Sequence, residues 1–291
     1  MTTYDATVDD LPGWPAACGC HNASRRHGPL NSTTHLRTTR DVERLRSAAM
    51  SSAAARVIDR LAPRLGTAIR ARRLTEVRNV VNFMPRGDMT AVDAGANVGL
   101  YSYWMAKRAS VVHAFEPQPS VFDRLRAGSG PKVRTYNNAL SDVAGTATLQ
   151  VPTQSHGMAS LRQIDDMPTT QIDVPLVVLD DLGLDGVGFV KIDVEGHEEQ
   201  LLRGAAKTLR AGLPVIYIEV EERHNPGGLD RITQFLGDLG YDQHFWDQTG
   251  DLRPMDTWDP ARYQDPASLE SGDPYACNFL FQSSAGPRAG V

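Results

Sequence analysis

The chain has 291 residues, 41% of them hydrophobic and 22% charged, with 25 Gly, 18 Pro and a formal net charge of -5. This composition excludes a disordered chain, and no run approaches the roughly 18 uninterrupted apolar residues of a membrane helix. A net negative charge argues against non-specific binding of nucleic acid by the whole chain. The opening MTTYDATVDD is acidic and lacks the apolar segment of a secretory signal, so no membrane and a cytoplasmic location are expected.

Residues 1–40 read as irregular, because Pro12, Pro15, Gly19, Gly28 and Pro29 break any period. Three cysteines are too few for a disulfide framework, so Cys18 and Cys20, followed by His21, read as free thiols ahead of a metal or redox site. Asp41 is placed to cap a helix carrying Val42, Leu45, Ala49, Ala53, Val57 and Leu61 at spacings of three and four. Pro63 interrupts, and a second helical pattern runs through Leu65, Ile69, Val77, Val80 and Val81. Residues 21–80 hold 13 Arg, no Lys and four acids, a local charge of +9. This Arg-rich segment, 41–85, reads as helices laid on an acidic domain, with the Arg stems covering apolar surface. It either closes a pocket or makes a homodimer contact.

From residue 86 strands and helices alternate. Strands are expected at 90–96, 111–117, 132–140, 189–195, 214–220, 241–246 and 276–282. Helices are expected at 98–109, 119–127, 197–210 and 229–239. Such alternation predicts an α/β domain, a mostly parallel sheet with helices on both faces. Extended pieces at 145–152 and 172–182 flank TQSHGMASLRQ (153–163), an inserted hairpin with a loop. In this loop His156 to Ser160 is a candidate acceptor lid.

Ligands of open α/β sheets bind beyond the carboxyl ends of the strands, so the residues after each strand matter most. The first strand leads into Asp93-Ala94-Gly95-Ala96-Asn97-Val98-Gly99. The two Gly permit a tight turn and close backbone approach, but the G-x-x-x-G spacing is not the dinucleotide fingerprint. Asp93 sits in an apolar strand and needs a cationic or hydrogen-bonding partner, such as a ligand's ammonium group. Glu116 lies 21 residues after Gly95, where an acid can bind both hydroxyls of a ribose. Asn137, Asn138 and Asp142 follow the third strand and suit an adenine edge. The fourth strand ends in Lys191-Ile192-Asp193-Val194-Glu195-Gly196-His197-Glu198, five chemically loaded residues in eight. Asp193 and Glu195 share a strand face, and His197 opens the next helix with a side chain fit for proton transfer. Glu219, Glu221 and Glu222 add acids to the same rim.

These pieces together resemble the FkbM family of S-adenosylmethionine-dependent methyltransferases. The match runs through VDAGANVGLYS (92–102), AFEPQPSVFDRL (114–125), NNALSDVAGTATL (137–149), GMASL (157–161), VVLDDL (177–182), VKIDVEGHEEQLLRGA (190–205) and PVIYIEV (214–220). The resemblance implies a class I methyltransferase (Rossmann-like) fold, with a seven-stranded sheet whose last strand is antiparallel. It implies a donor site at Asp93, Gly95, Ala96, Asn97, Gly99, Glu116, Asn138, Ala139, Asp142 and Asp193. It further suggests O-methylation of a hydroxyl on a sugar, polyketide or other secondary metabolite, with no nucleic-acid partner.

An alcohol keeps its proton at neutral pH, so transfer to it needs a base or a metal. His197 is the expected base, oriented by Asp193 or Glu195. Mg²⁺ held by Asp193, Glu195 and Glu219 is the alternative, and no resident metal is expected. A nicotinamide-dependent oxidoreductase shares the sheet and Glu116, but the missing third Gly and Asp93 disfavour it.

Overall fold

Alternation of side chains along the strands decides the architecture. The computed structural model describes residues 61–286, apart from 74–76, 78–79, 86, 154–158, 163–167, 248–249, 266 and 269–274. The expectations for residues 1–40, for most of the first helix, for Cys18, Cys20 and His21, and for His156 to Met158 lie outside the described residues.

On β1 (Thr90–Ala94) and β7 (Val187–Ile192), Val92, Ala94, Val190 and Ile192 face one core. Ala91 and Phe189 face the other. On β8 (Val215–Glu219) and β11 (Asn278–Gln282) the same period of two sends Ile216, Ile218, Phe279 and Phe281 one way and Val215, Tyr217 and Leu280 the other. A strand apolar on both faces must be covered on both, which is why these runs read as near-continuous hydrophobic stretches. The first core is closed by Leu201 and Leu202 of α4 (Glu198–Gly204), Leu209 of α5 (Ala206–Gly212) and Leu236 of α6 (Gly228–Asp238). The second is closed by Met105 of α2 (Leu100–Met105) together with Val80, Val81 and Met84. Helix α1 (Pro63–Arg73) lies against α2, with Trp104 Nε1 donating to the Ala71 carbonyl at 2.8 Å.

The main sheet has the order β10-β9-β11-β8-β7-β1-β2-β3, with β2 (Val111–Phe115), β3 (Val133–Tyr136), β9 (Asp242–Trp246) and β10 (Leu252–Pro254). Strands β1, β2, β3, β7 and β8 run parallel, and β11 is antiparallel to both neighbours. The sheet is therefore mostly parallel but has eight strands, not seven. The extra one is β10, a three-residue edge strand too short to carry a sequence period.

A second departure lies at 132–140, expected as one strand. The chain instead breaks at Asn137-Asn138 into β3 and β4 (Ala139–Ser141), which belong to different sheets. Strand β4 pairs in parallel with β6 (Thr169–Val178), and β6 pairs antiparallel with β5 (Gly145–Pro152). This small sheet is the inserted hairpin, docked on α4: a Cβ at Gly204 would stand 2.0 Å from the Ser141 carbonyl oxygen. The long helix expected at 197–210 is likewise two, α4 and α5, meeting at Ala205.

Strand order reverses between β1 and β7, so a crevice opens beyond their carboxyl ends. The small sheet stands beside that crevice and supplies one of its walls.

Candidate active site

The crevice encloses about 630 Å³ of space open to solvent. Gly95 and Asn97 line it after β1, Glu116 after β2, and Asn138 and Ala139 before and within β4. Asp193, Glu195 and His197 line it after β7, and Leu149, Ala159 and Leu161 come from the hairpin. Of the expected donor residues, Asp93, Ala96, Gly99 and Asp142 do not line it.

The turn after β1 is built for close approach. Gly95 has φ 70°, and a Cβ there would fall 1.7 Å from the Asp193 carbonyl oxygen. Only glycine lets the exits of β1 and β7 pass one another. Asn97 is left-handed (φ 48°), and its Oδ1 accepts from the Val98 N–H at 2.8 Å. Its own N–H donates to Glu116 Oε2 at 2.9 Å, while the Gln118 N–H donates to Oε1 at 2.9 Å. Each Glu116 oxygen thus keeps a lone pair for a further donor. Burial pushes the Glu116 carboxyl up to about 7, against the pull of those two N–H groups. Asn137 fixes the turn below, its Nδ2 donating to the carbonyls of Glu116 and Pro117, both at 2.9 Å.

Asp93 finds its partners inside the protein. It is wholly buried, and Ser102 Oγ donates to its Oδ2 at 2.5 Å. The strand register sets Lys191 beside it, with Nζ 3.7 Å from Asp93 Oδ1. The same ammonium donates to Asp193 Oδ2 at 3.0 Å and to the Gly95 carbonyl at 2.9 Å. Burial alone would lower the Lys191 pKa. Asp193 and Asp93 outweigh it and hold the ammonium above its ordinary value. Lys191 is 2% exposed, so it acts as an internal cation tying the turn after β1 to the end of β7.

The turn after β7 carries a second left-handed residue, Glu195 (φ 49°), followed by Gly196 (φ 98°). A non-glycine residue in that region costs about 1–3 kcal/mol and persists only where its surroundings enforce it. Asn97 and Glu195 both line the crevice. Burial raises the carboxyl of Glu198, which accepts from the Gly196 N–H at 2.7 Å, to about 7.

His197 is not held by Asp193 or Glu195. Its Nε2 lies 3.0 Å from Ser141 Oγ, and Ser141 Oγ donates to Asp142 Oδ1 at 3.2 Å. With that hydroxyl donating to Asp142, its oxygen accepts from Nε2–H, and His197 Nδ1 carries the free lone pair. Burial pushes the His197 imidazole down, against the attraction of Asp142. Glu195 instead meets His224, whose Nδ1 is 2.9 Å from Oε2. That contact, with Glu221 nearby, holds the His224 imidazole above its ordinary value despite burial. Ser141 and His224 carry no sequence signal of their own, since each comes from a segment remote from the 191–198 run.

The Mg²⁺ alternative meets carboxylates that already have cations: Asp193 faces Lys191 and Glu195 faces His224. A different trio, Glu219, Glu221 and Cys277, has ligand-type atoms within 4.8 Å of one another. Cys277 is disulfide-bonded, which removes its thiolate from that trio. Among the described residues, no helix is long and apolar enough to cross a membrane.

Residues 93–242 match the methyltransferase FkbM domain family. The hexuronic acid methyltransferase AglP of Haloferax volcanii is 26% identical over 144 residues, 48% of this chain. The 2-O-methyltransferase NoeI of Sinorhizobium fredii is 26% identical over 155 residues, 45% of this chain. The match spans 59% of the length of AglP and 63% of NoeI. Among solved structures, the methyltransferase FkbM of Methylobacillus flagellatus KT aligns with a TM-score of 0.43 at 16% identity, over 67% of this chain and 44% of that one.

Proposed function

The chain belongs to the FkbM methyltransferase family, and we propose that it carries a methyl group from S-adenosylmethionine to a hydroxyl of a small molecule. The observation that supports this donor best is Glu116, a buried carboxyl at the crevice whose oxygens are oriented by two backbone N–H groups. Such a group suits the paired hydroxyls of a ribose. Gly95 and Asn97 allow close approach of the sugar, while Asn138 and Ala139 suit the adenine edge. Asp193, paired with Lys191 but 32% exposed, lines the same crevice. When bound, S-adenosylmethionine supplies an electrophilic methyl group on sulfur.

The acceptor side falls to the hairpin wall and the turn after β7. Leu149, Ala159 and Leu161 offer an apolar face, and Glu195 and His197 line the same crevice for hydroxyls. His197, neutral at pH 7, takes the hydroxyl proton at Nδ1, with Ser141 and Asp142 fixing the ring. The relatives named for a hexuronic acid and for 2-O-methylation support a sugar hydroxyl as the acceptor.

Thermal unfolding with S-adenosylmethionine, S-adenosylhomocysteine or NADH tests the donor. A ligand at about 100 times its Kd adds roughly 2.7 kcal/mol of stability. Both sulfur nucleosides raise the Tm, NADH does not, and Glu116→Ala abolishes the shift. A shift with NADH alone, or none at all, rejects the reading.

A pH dependence follows from the same residue. Free Glu116 titrates at about 7, and a cationic donor with ribose hydroxyls binds the ionised form better. Donor affinity therefore rises from pH 6 to pH 8 as binding releases a proton. Calorimetric Kd values across that range check it. Glu116→Gln, which cannot ionise, flattens the curve; an equally steep curve in that variant assigns the proton elsewhere.

A further inference from the structure

One short segment, bridged to β5 at Ser160, faces both the crevice and the turn that carries Glu195. Along 159–162, Ala159 and Leu161 line the crevice, and Ser160 and Arg162 point the other way. An antiparallel bridge fixes this register, with Gln150 N–H donating to the Ser160 carbonyl at 2.7 Å and Ser160 N–H returning to Gln150 at 3.0 Å. A slip by one residue would exchange the two faces.

The outward pair grips the turn. Ser160 Oγ donates to the Glu195 carbonyl at 2.5 Å and accepts from the Arg162 N–H at 3.0 Å. Arg162 Nε donates to the Gly196 carbonyl at 2.6 Å. Gly196 is enclosed as well: a Cβ there would meet Arg162 Cδ at 2.9 Å and the His224 carbonyl oxygen at 3.1 Å. The turn is thus caught between the hairpin strand and the segment after β8. Two successive left-handed residues need such enforcement, and here the hairpin supplies it.

We propose that Ser160 and Arg162 are positioning residues, which lock the Glu195–Gly196 turn from the wall that receives the acceptor. Glu195 and His197 then reach their working places only while that wall is seated. The chemical role given to the turn rests on the methyl-transfer reading; the lock itself does not.

Histidine ring resonances followed against pH, with no ligand added, test the lock in wild type, Ser160→Ala, Arg162→Gln and the double variant. His224 is faced by Glu195, Glu221 and Arg223, and Glu195 by His224, Asp193 and Glu221. His197 is faced by Asp142 and Arg162. In the double variant the turn relaxes, Glu195 leaves His224, and the His224 midpoint falls toward that of an unpaired imidazole. The His197 midpoint rises once the Arg162 charge is gone. His113, stacked on Tyr136 and hydrogen-bonded to its hydroxyl, keeps its resonance while the protein stays folded.

A wild-type His224 midpoint in the double variant, with His113 unchanged, overturns the proposal. If the double variant loses the His113 line, the single variants decide by the same criterion. Ser160→Thr, which keeps the hydroxyl, restores the wild-type titration; its failure to do so in a folded protein counts against the lock. Calorimetry with S-adenosylmethionine on wild type runs alongside. Absence of binding there removes the methyl-transfer reading, while the titrations still judge the lock.

Discussion

Lys191→Met lowers the free energy of unfolding by about 3–5 kcal/mol, the range for removing one partner of a buried ion pair. Methionine nearly matches the aliphatic stem, so packing changes little. What is lost is the ammonium that lies 3.0 Å from Asp193 and 3.7 Å from Asp93. Asp93 has no exposure and keeps only Ser102. Burial already pushes the Asp93 carboxyl up, and without Lys191 nothing cationic opposes it. A carboxyl whose folded pKa lies above its unfolded value stabilises fully below the unfolded value and loses that contribution as pH rises through the folded one. The deficit of Lys191→Met is therefore larger at pH 8 than at pH 5. Urea unfolding at both values measures it. Asp93→Asn in the Lys191→Met background removes the orphaned charge and recovers part of the loss. A deficit under about 1 kcal/mol, or one indifferent to pH, would show that Asp93 is neutral in the wild type as well.

His197→Ala reduces turnover by about 10²–10⁴, the usual contribution of a positioned general base. Donor affinity is unchanged, because on this reading Glu116 holds the donor's ribose and His197 serves the acceptor. The Ser141–Asp142 pair fixes the ring through Nε2 and leaves Nδ1 to accept the proton, so Ser141→Ala gives a smaller loss of the same kind. Burial keeps the imidazole below its ordinary value, and the neutral, proton-accepting form prevails at pH 7. The acid limb of the rate profile accordingly falls below the pH at which a free histidine titrates. Turnover with saturating S-adenosylmethionine and a hydroxylated sugar acceptor, read as S-adenosylhomocysteine released, provides the measurement. Unchanged turnover in His197→Ala rejects the base. Glu195, 20% exposed beside His224, is then the next group to replace.

Much of the site lies in the local sequence. Gly95, Asn97, Glu116, Asn138 and Asp193 are each within a few residues of a strand end, where an α/β sheet exposes its ligand crevice. What the sequence misassigned are partners. Asp93 needs a cation, but the choice of Lys191 over a ligand follows from a cross-strand register between segments about a hundred residues apart. His197 needs an orienting group, and the adjacent acids looked sufficient. The turn at Glu195 and Gly196 sends those acids toward Lys191 and His224, and leaves His197 to a serine delivered by the hairpin sheet.

The same division holds for the fold. A buried strand such as VIYI of β8 declares itself, because both its faces must be apolar. Strand 132–140 did not divide on paper, because nothing in KVRTYNNAL says that its two halves pair with different sheets. The sequence by itself determined the mostly parallel sheet, the strand ends that border the crevice and the family, since strand periodicity and strand-end chemistry are written within a few residues of each other. The tertiary structure alone decided which buried charge faces which, and that the hairpin wall grips the turn of Glu195. Those contacts join segments far apart in the chain, and their geometry exists only once the strands have taken their register.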